Sequence, residues 1–196
     1  MSQGPAFDLR ARAEDDLRAI RLAMEGSARF TSVSGAGEMA VGASALLAAG
    51  VAASQDSPAA WLAVWMIEAV VAAGISLAAA ARKARRGGGT LWSLPARRFA
   101  LSLAPPLAAG AVLTPILYNA GLLDVLPGAW LLLYGAGVVT GGAFSVRVVP
   151  LTGTAFMLAG MAALLLPDLG RDAWMAAGFG GIHLVFGAAL ARRHGG

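Results

Sequence analysis

Cysteine is absent from the 196-residue chain, histidine occurs twice, and only 13% of the residues are charged. Without a thiol there is no disulfide framework, no cysteine metal site and no thiol nucleophile. The remaining ligand types are too few and too scattered to hold a metal, so neither a metal nor another cofactor is expected. Haem held between two histidines would need His194, which lies on the C-terminal tail. Soluble domains carry about 25% charged residues, and this chain has too little charge to coat a water-soluble globule. Signatures of enzymes are missing too: there is no Walker loop, no H-E-x-x-H and no paired-aspartate phosphotransfer motif. The Gly-x-Ser-Gly nucleophile motif of the six-span rhomboid proteases is also absent. The one serine of the corresponding segment, Ser145, lies far in depth from His183, and hydrolysis needs nucleophile and base within hydrogen-bond reach. The chain is therefore not expected to be an enzyme. A cleavable signal peptide is not expected either, because the first thirty or so residues are polar and lack an apolar core.

What the chain does have is hydrophobicity: 58% of it is apolar, and its mean hydropathy is +0.69. Six apolar runs stand out, near 35–54, 59–81, 105–123, 127–146, 150–166 and 172–190. A helix rising about 1.5 Å per residue needs roughly 20 residues to cross the hydrocarbon core, and the runs are unbroken rather than alternating, which excludes barrel strands. The expected fold is all-α: a polytopic membrane protein with six transmembrane helices over 31–196 and a cytoplasmic amphipathic helix over 1–30. In that N-terminal helix Ala13, Leu17, Ile20, Met24 and Ala28 recur at spacings of three and four among charged residues. It reads as a helix lying on the inner face of the bundle, or as a docking helix for a protein partner or a second copy.

Of the 15 basic residues, 14 fall in the N-terminal segment, the loops after runs two and four, and the C-terminal tail. Arg171 alone falls on the other side, with Asp56, Asp124, Asp168 and Asp172. Six spans with both termini in the cytoplasm obey the positive-inside rule at every loop. This distribution also turns the net charge of +4 into topology rather than a nucleic-acid surface, which needs cations clustered on a soluble face. The partner is the lipid bilayer. Trp61, Tyr118, Trp130 and Trp174 fall near the outer ends of different runs, and Trp92 near the inner headgroups, where amphipathic rings collect.

Small residues mark the packing surfaces. Gly137 and Gly141 form a small-xxx-small pair, and Ala176, Gly180, His183 and Gly187 share one helical face. Ionisable groups at membrane depth are costly, roughly +2.5 to +3.5 kcal/mol on insertion scales for Asp, Arg or Lys, and mark the candidate site. Glu68 and His183 come out at similar depth and are expected to meet, with Tyr134 and Ser76 in the same polar network. Glu38 and Arg147 form a candidate pair nearer the inner side. Two versions stay open: a proton pathway, or a buried hydrogen-bonded network that only locks helices together. Prolines 105, 106 and 115 in run three and glycines 178, 180 and 181 in run six interrupt helices at matching places in two three-span halves, a pattern of transporter sites, although Pro105-Pro106 could equally start run three.

The segments Leu126-Pro127-Gly128-Ala129-Trp130 through Tyr134-Gly135, Gly141-Gly142-Ala143-Phe144-Ser145-Val146-Arg147 and Gly178-Phe179-Gly180-Gly181-Ile182-His183 through Phe186-Gly187 resemble uncharacterised bacterial six-span integral membrane proteins. The resemblance covers about the C-terminal third and implies no activity. The excess of Ala, Gly and Arg over Lys points to a GC-rich bacterial genome and hence an inner membrane. Two functions remain: a structural or regulatory, partner-binding membrane module, and a small proton-linked transporter or channel-like carrier using Glu68 and His183.

Overall fold

The computed structural model describes residues 12–20, 24, 33–87, 90 and 93–194, and no strand occurs among them. Residues 12–20 form an exposed helix, α1. Of the apolar positions proposed for the N-terminal helix, Ala28 lies outside the described residues, as does Trp92. Six further helices follow: α2 (Gly35–Ala53), α3 (Pro58–Arg86), α4 (Leu94–Asn119), α5 (Leu126–Gly142), α6 (Val148–Leu165) and α7. Helix α7 runs continuously through Arg171–Met175, a π-helical stretch at Ala176–Ile182, and His183–His194. All six are long and apolar enough to cross a membrane, and the protein is a six-helix membrane bundle.

Serine caps start three of these helices. The hydroxyls of Ser34, Ser57 and Ser93 accept the backbone N–H of Gly37, Ala60 and Ala96 at 3.2, 3.1 and 3.4 Å, each satisfying a donor that the first turn leaves open. The cap at Ser93 corrects the start of run three. Helix α4 begins at Leu94, and Pro105, Pro106 and Pro115 all lie inside it. Hydropathy marks only the apolar part of a helix. The first turns of α4 carry Arg97 and Arg98 and so fall outside the hydropathy-defined run.

The helices form a ring with one gap. Neighbours around it run α3, α2, α7, α6, α5 and α4. Helix α3 packs along α2 and α4 along α5, but α3 and α4 do not pack along each other among the described residues. The two outer helices therefore flank an opening in the side of the bundle.

Two interfaces in the ring are built on glycines seven residues apart. In α2 and α7 they are Gly35 and Gly42 against Gly180 and Gly187. A Cβ on Gly42 would lie 2.8 Å from the carbonyl oxygen of Gly180, and one on Gly187 would lie 2.8 Å from the backbone nitrogen of Met39. In α5 and α6 the series is Gly128, Gly135 and Gly142 against Gly153 and Gly160. Here a Cβ on Gly153 would lie 2.6 Å from Val139 N, and one on Gly160 would lie 2.6 Å from Leu132 N. Backbones come this close only where both surfaces lack side chains. Gly137 and Gly141 face the other way, onto Leu103 and Phe99 of α4.

At the end of the bundle remote from the arginine-rich segments, tryptophans and an ion pair cover the core. Trp61 is wholly buried (0% exposed), and its indole N–H donates to Asp172 Oδ1 at 2.6 Å. It stacks on Trp130 with ring centroids 5.9 Å apart, and the guanidinium of Arg171 sits 5.1 Å over its ring. Arg171 also pairs with Asp124 at 3.5 Å. The belt position expected for Trp61 is thus a core position instead, because the first turns of α3 pack inward on the alanine face of α2 around Ala45, Ala49 and Ala52.

Candidate functional site

Inside the ring is a cavity of about 850 Å³ to which all six spanning helices contribute. Its walls are mostly alanine, leucine and aromatic rings. Polar groups enter at a few points: Glu38 from α2, Glu68 and Ser76 from α3, Thr114 from α4, Tyr134 from α5, Thr152 from α6 and His183 from α7. No Lys or Arg lines it among the described residues. The exposed side chains of Met66, Leu77 and Leu107 are also on its lining, which places its mouth at the gap between α3 and α4.

His183 is the most enclosed of the polar groups, at 3% exposed. Its Nδ1 is 2.7 Å from the carbonyl oxygen of Phe179. A carbonyl only accepts, so Nδ1 carries the hydrogen, and in the neutral ring Nε2 keeps its lone pair. Nε2 is 3.0 Å from the Tyr134 hydroxyl and 3.5 Å from Glu38 Oε2. Tyr134 can donate to the bare nitrogen. Glu38 and Nε2 bond directly only when one of them holds a proton. The three groups therefore form a site for one exchangeable proton, with the tyrosine hydroxyl as the alternative partner. Phe156, Phe179 and Tyr134 enclose the imidazole, with ring centroids 4.9, 6.2 and 5.6 Å from it.

The backbone around His183 is unusual. The π-helical Ala176–Ile182 leads straight into it, and its own N–H bonds to Gly180 O. The Phe179 carbonyl accepts from the imidazole side chain. π-helical segments occur frequently at functional sites, and the glycines 178, 180 and 181 singled out in the sequence lie within this one.

Glu68 stands apart from His183. Its Oε1 accepts the Ser44 hydroxyl at 2.8 Å across the α2–α3 seam, and it is 8% exposed. Glu38, expected to reach Arg147, instead turns inward to His183, and Arg147 is exposed at the start of α6. Register supplies the reason. Antiparallel packing of α2 on α7 through Gly35, Gly42, Gly180 and Gly187 brings Glu38 level with His183, whereas Glu68 lies against the opposite flank of α2. Ser76 lies two turns along α3 from Glu68 and lines the same cavity.

A partner of Glu68 and an orphan donor beside it were not foreseen from the sequence, although Trp65 shares the helical face of Glu68. Ser44 is the partner of Glu68, and nothing distinguishes it from other small residues of α2. Trp65, one turn before Glu68, lines the cavity and holds a buried indole N–H with no hydrogen-bond partner. The pairing of Glu38 with His183 did leave a trace: Gly35-x-x-Glu38-x-x-x-Gly42 and Gly180-x-x-His183-x-x-x-Gly187 have identical spacing.

No protein-family model matches the chain, and no curated protein or solved structure shows significant similarity to it.

Proposed function

We propose that the protein is a small proton-linked carrier of the bacterial inner membrane that binds an amphipathic molecule in its central cavity. Both termini lie in the cytoplasm, since 14 of 15 basic residues fall on that side, and the carrier works without covalent catalysis, metal or cofactor. Glu38, His183 and Glu68 exchange protons as the cavity fills and empties.

The observation that carries this reading is the cavity itself. Its volume of about 850 Å³ lies in the 300–1,000 Å³ range of drug-sized ligand sites, which are mostly apolar with a few placed polar groups. A bundle held together only by packing has no use for two carboxyls and an imidazole around a space of that size. The test is proton flux in proteoliposomes with a trapped pH-sensitive dye and a clamped membrane potential. Membrane-impermeant amphiphiles of positive, negative and zero charge are added in turn. At least one class is expected to drive flux well above that of protein-free vesicles, and Glu38→Gln and Glu68→Gln each to reduce it at least tenfold. Flux no different from empty vesicles with every class, or identical in both variants, overturns the reading.

The second reading is a structural or regulatory module that docks a protein partner or a second copy through residues 1–30. It is favoured by Leu17, Ile20 and Met24, all more than half exposed. Replacing Leu17 and Ile20 with serine leaves flux unchanged if the carrier reading holds.

A further inference from the structure

We propose that Glu68 anchors a binding site for lipophilic organic cations that reach the cavity sideways, between α3 and α4. This rests on the carrier reading and names its substrate class.

Three observations converge. First, the two carboxyls on the lining are compensated differently. Glu38 has an imidazole within 3.5 Å, while among the described residues Glu68 has only the neutral hydroxyl of Ser44, on one of its two oxygens. A carboxylate in an apolar surround is retained only with a proton or a counter-charge, and no Lys or Arg lines this space among the described residues. Second, the walls carry Trp65, Phe99, Trp130, Tyr134, Phe179 and Phe186. Aromatic faces attract cations, and desolvated pairs of this kind contribute on the order of 2 kcal/mol. Third, the mouth is bounded by exposed Met66, Leu77 and Leu107, so the route in leads from hydrocarbon. An anionic solute would find no Lys or Arg on the lining among the described residues, and a strongly hydrated one no polar path through that opening.

The exchange balances. The carboxyl of Glu68 releases one proton to water, and the resulting carboxylate pairs with one positive charge of the ligand. Binding therefore strengthens as pH rises. The other titratable groups around the space are Glu38 on α2, Tyr134 on α5 and His183 on α7, while α4 and α6 contribute the hydroxyls of Thr114 and Thr152. Lys83, near the arginine-rich end of α3, donates to the Val33 carbonyl at 3.1 Å and is not on the lining.

The experiment is equilibrium binding of tetraphenylphosphonium to the full-length purified protein, read by quenching of tryptophan fluorescence and by radioligand, at pH 5.5 and pH 8. Tetraphenylborate and a neutral tetraphenyl analogue serve as shape-matched controls. The expected result is saturable cation binding at least tenfold tighter at pH 8, and tighter than either control. Glu68→Gln, whose amide still accepts the Ser44 hydroxyl, is expected to lose at least tenfold and to lose the pH dependence, while Glu68→Asp recovers part of both. Tetraphenylborate or the neutral analogue binding as tightly overturns the cation class but leaves a carrier for another solute. Cation binding without coupled proton flux in vesicles supports the site and overturns the carrier reading. An unaltered constant in Glu68→Gln overturns the anchor.

Discussion

The α2–α7 and α5–α6 interfaces use the same device to opposite ends. Both bring antiparallel backbones together through glycines seven residues apart, and in both the residues three places after the glycines are buried, Glu38 alone only partly so. Between the glycines of α5 and α6 those residues are Leu131, Val138 and Phe156, all buried. Between the glycines of α2 and α7 they are Glu38 and His183. One interface is an apolar seam; the other has the same frame with an acid and a base set into it. The two meet where the Phe156 ring lies 4.9 Å from His183. Close packing thus does not require polarity here, and the polar pair is an addition to a frame that stands without it.

The largest effects should come from breaking the frame itself. Gly42→Ala and Gly160→Ala each push a methyl group within 3 Å of facing backbone and are each expected to lower stability by about 1–3 kcal/mol. Thermal unfolding in detergent should show comparable drops for both; a normal midpoint in either would mean that its interface is looser than described. Next comes the polar pair. His183→Leu leaves the Glu38 carboxyl and Tyr134 hydroxyl without their partner, at a cost of about 1–3 kcal/mol. Removing both partners of a buried pair is often close to neutral, so Glu38→Leu combined with His183→Leu should recover much of that loss. A strictly additive double-mutant cycle would argue against the contact. Ser44→Ala, which removes one hydrogen bond to Glu68, should cost about 1 kcal/mol, measured by the same unfolding. Smallest of all are Gly50→Ala and Gly74→Ala, where a new Cβ meets nothing within 4 Å. Unfolding midpoints there should hold or rise, since alanine favours a helix by roughly 0.5–1 kcal/mol.

The spans were legible because lipid imposes one local requirement, a run of apolar residues of fixed length, and hydropathy reads it directly. Where helix and apolar run part company, as at Leu94–Leu101, the serine cap and proline at 93–95 carried the information and composition did not. The residues of the site were legible for the same reason, since ionisable groups stand out against an apolar background. Their partners were not. Depth counted along separate runs placed Glu68 beside His183, but pairing depends on which face of α2 each neighbour takes and in what register. The matched spacings around Glu38 and His183 encode that register only once the glycines are read as contacts between helices. The opening between α3 and α4 leaves no local signature, because it is a contact that is not made.

That opening has a consequence for measurement. A solute arriving through it is drawn from the acyl-chain region, so its rate of entry follows its mole fraction in the bilayer, while its occupancy at equilibrium is the same whichever side it comes from. At equal aqueous concentration, a solute that partitions more strongly into lipid should then load the site faster, an acceleration that a pore open to water would not show.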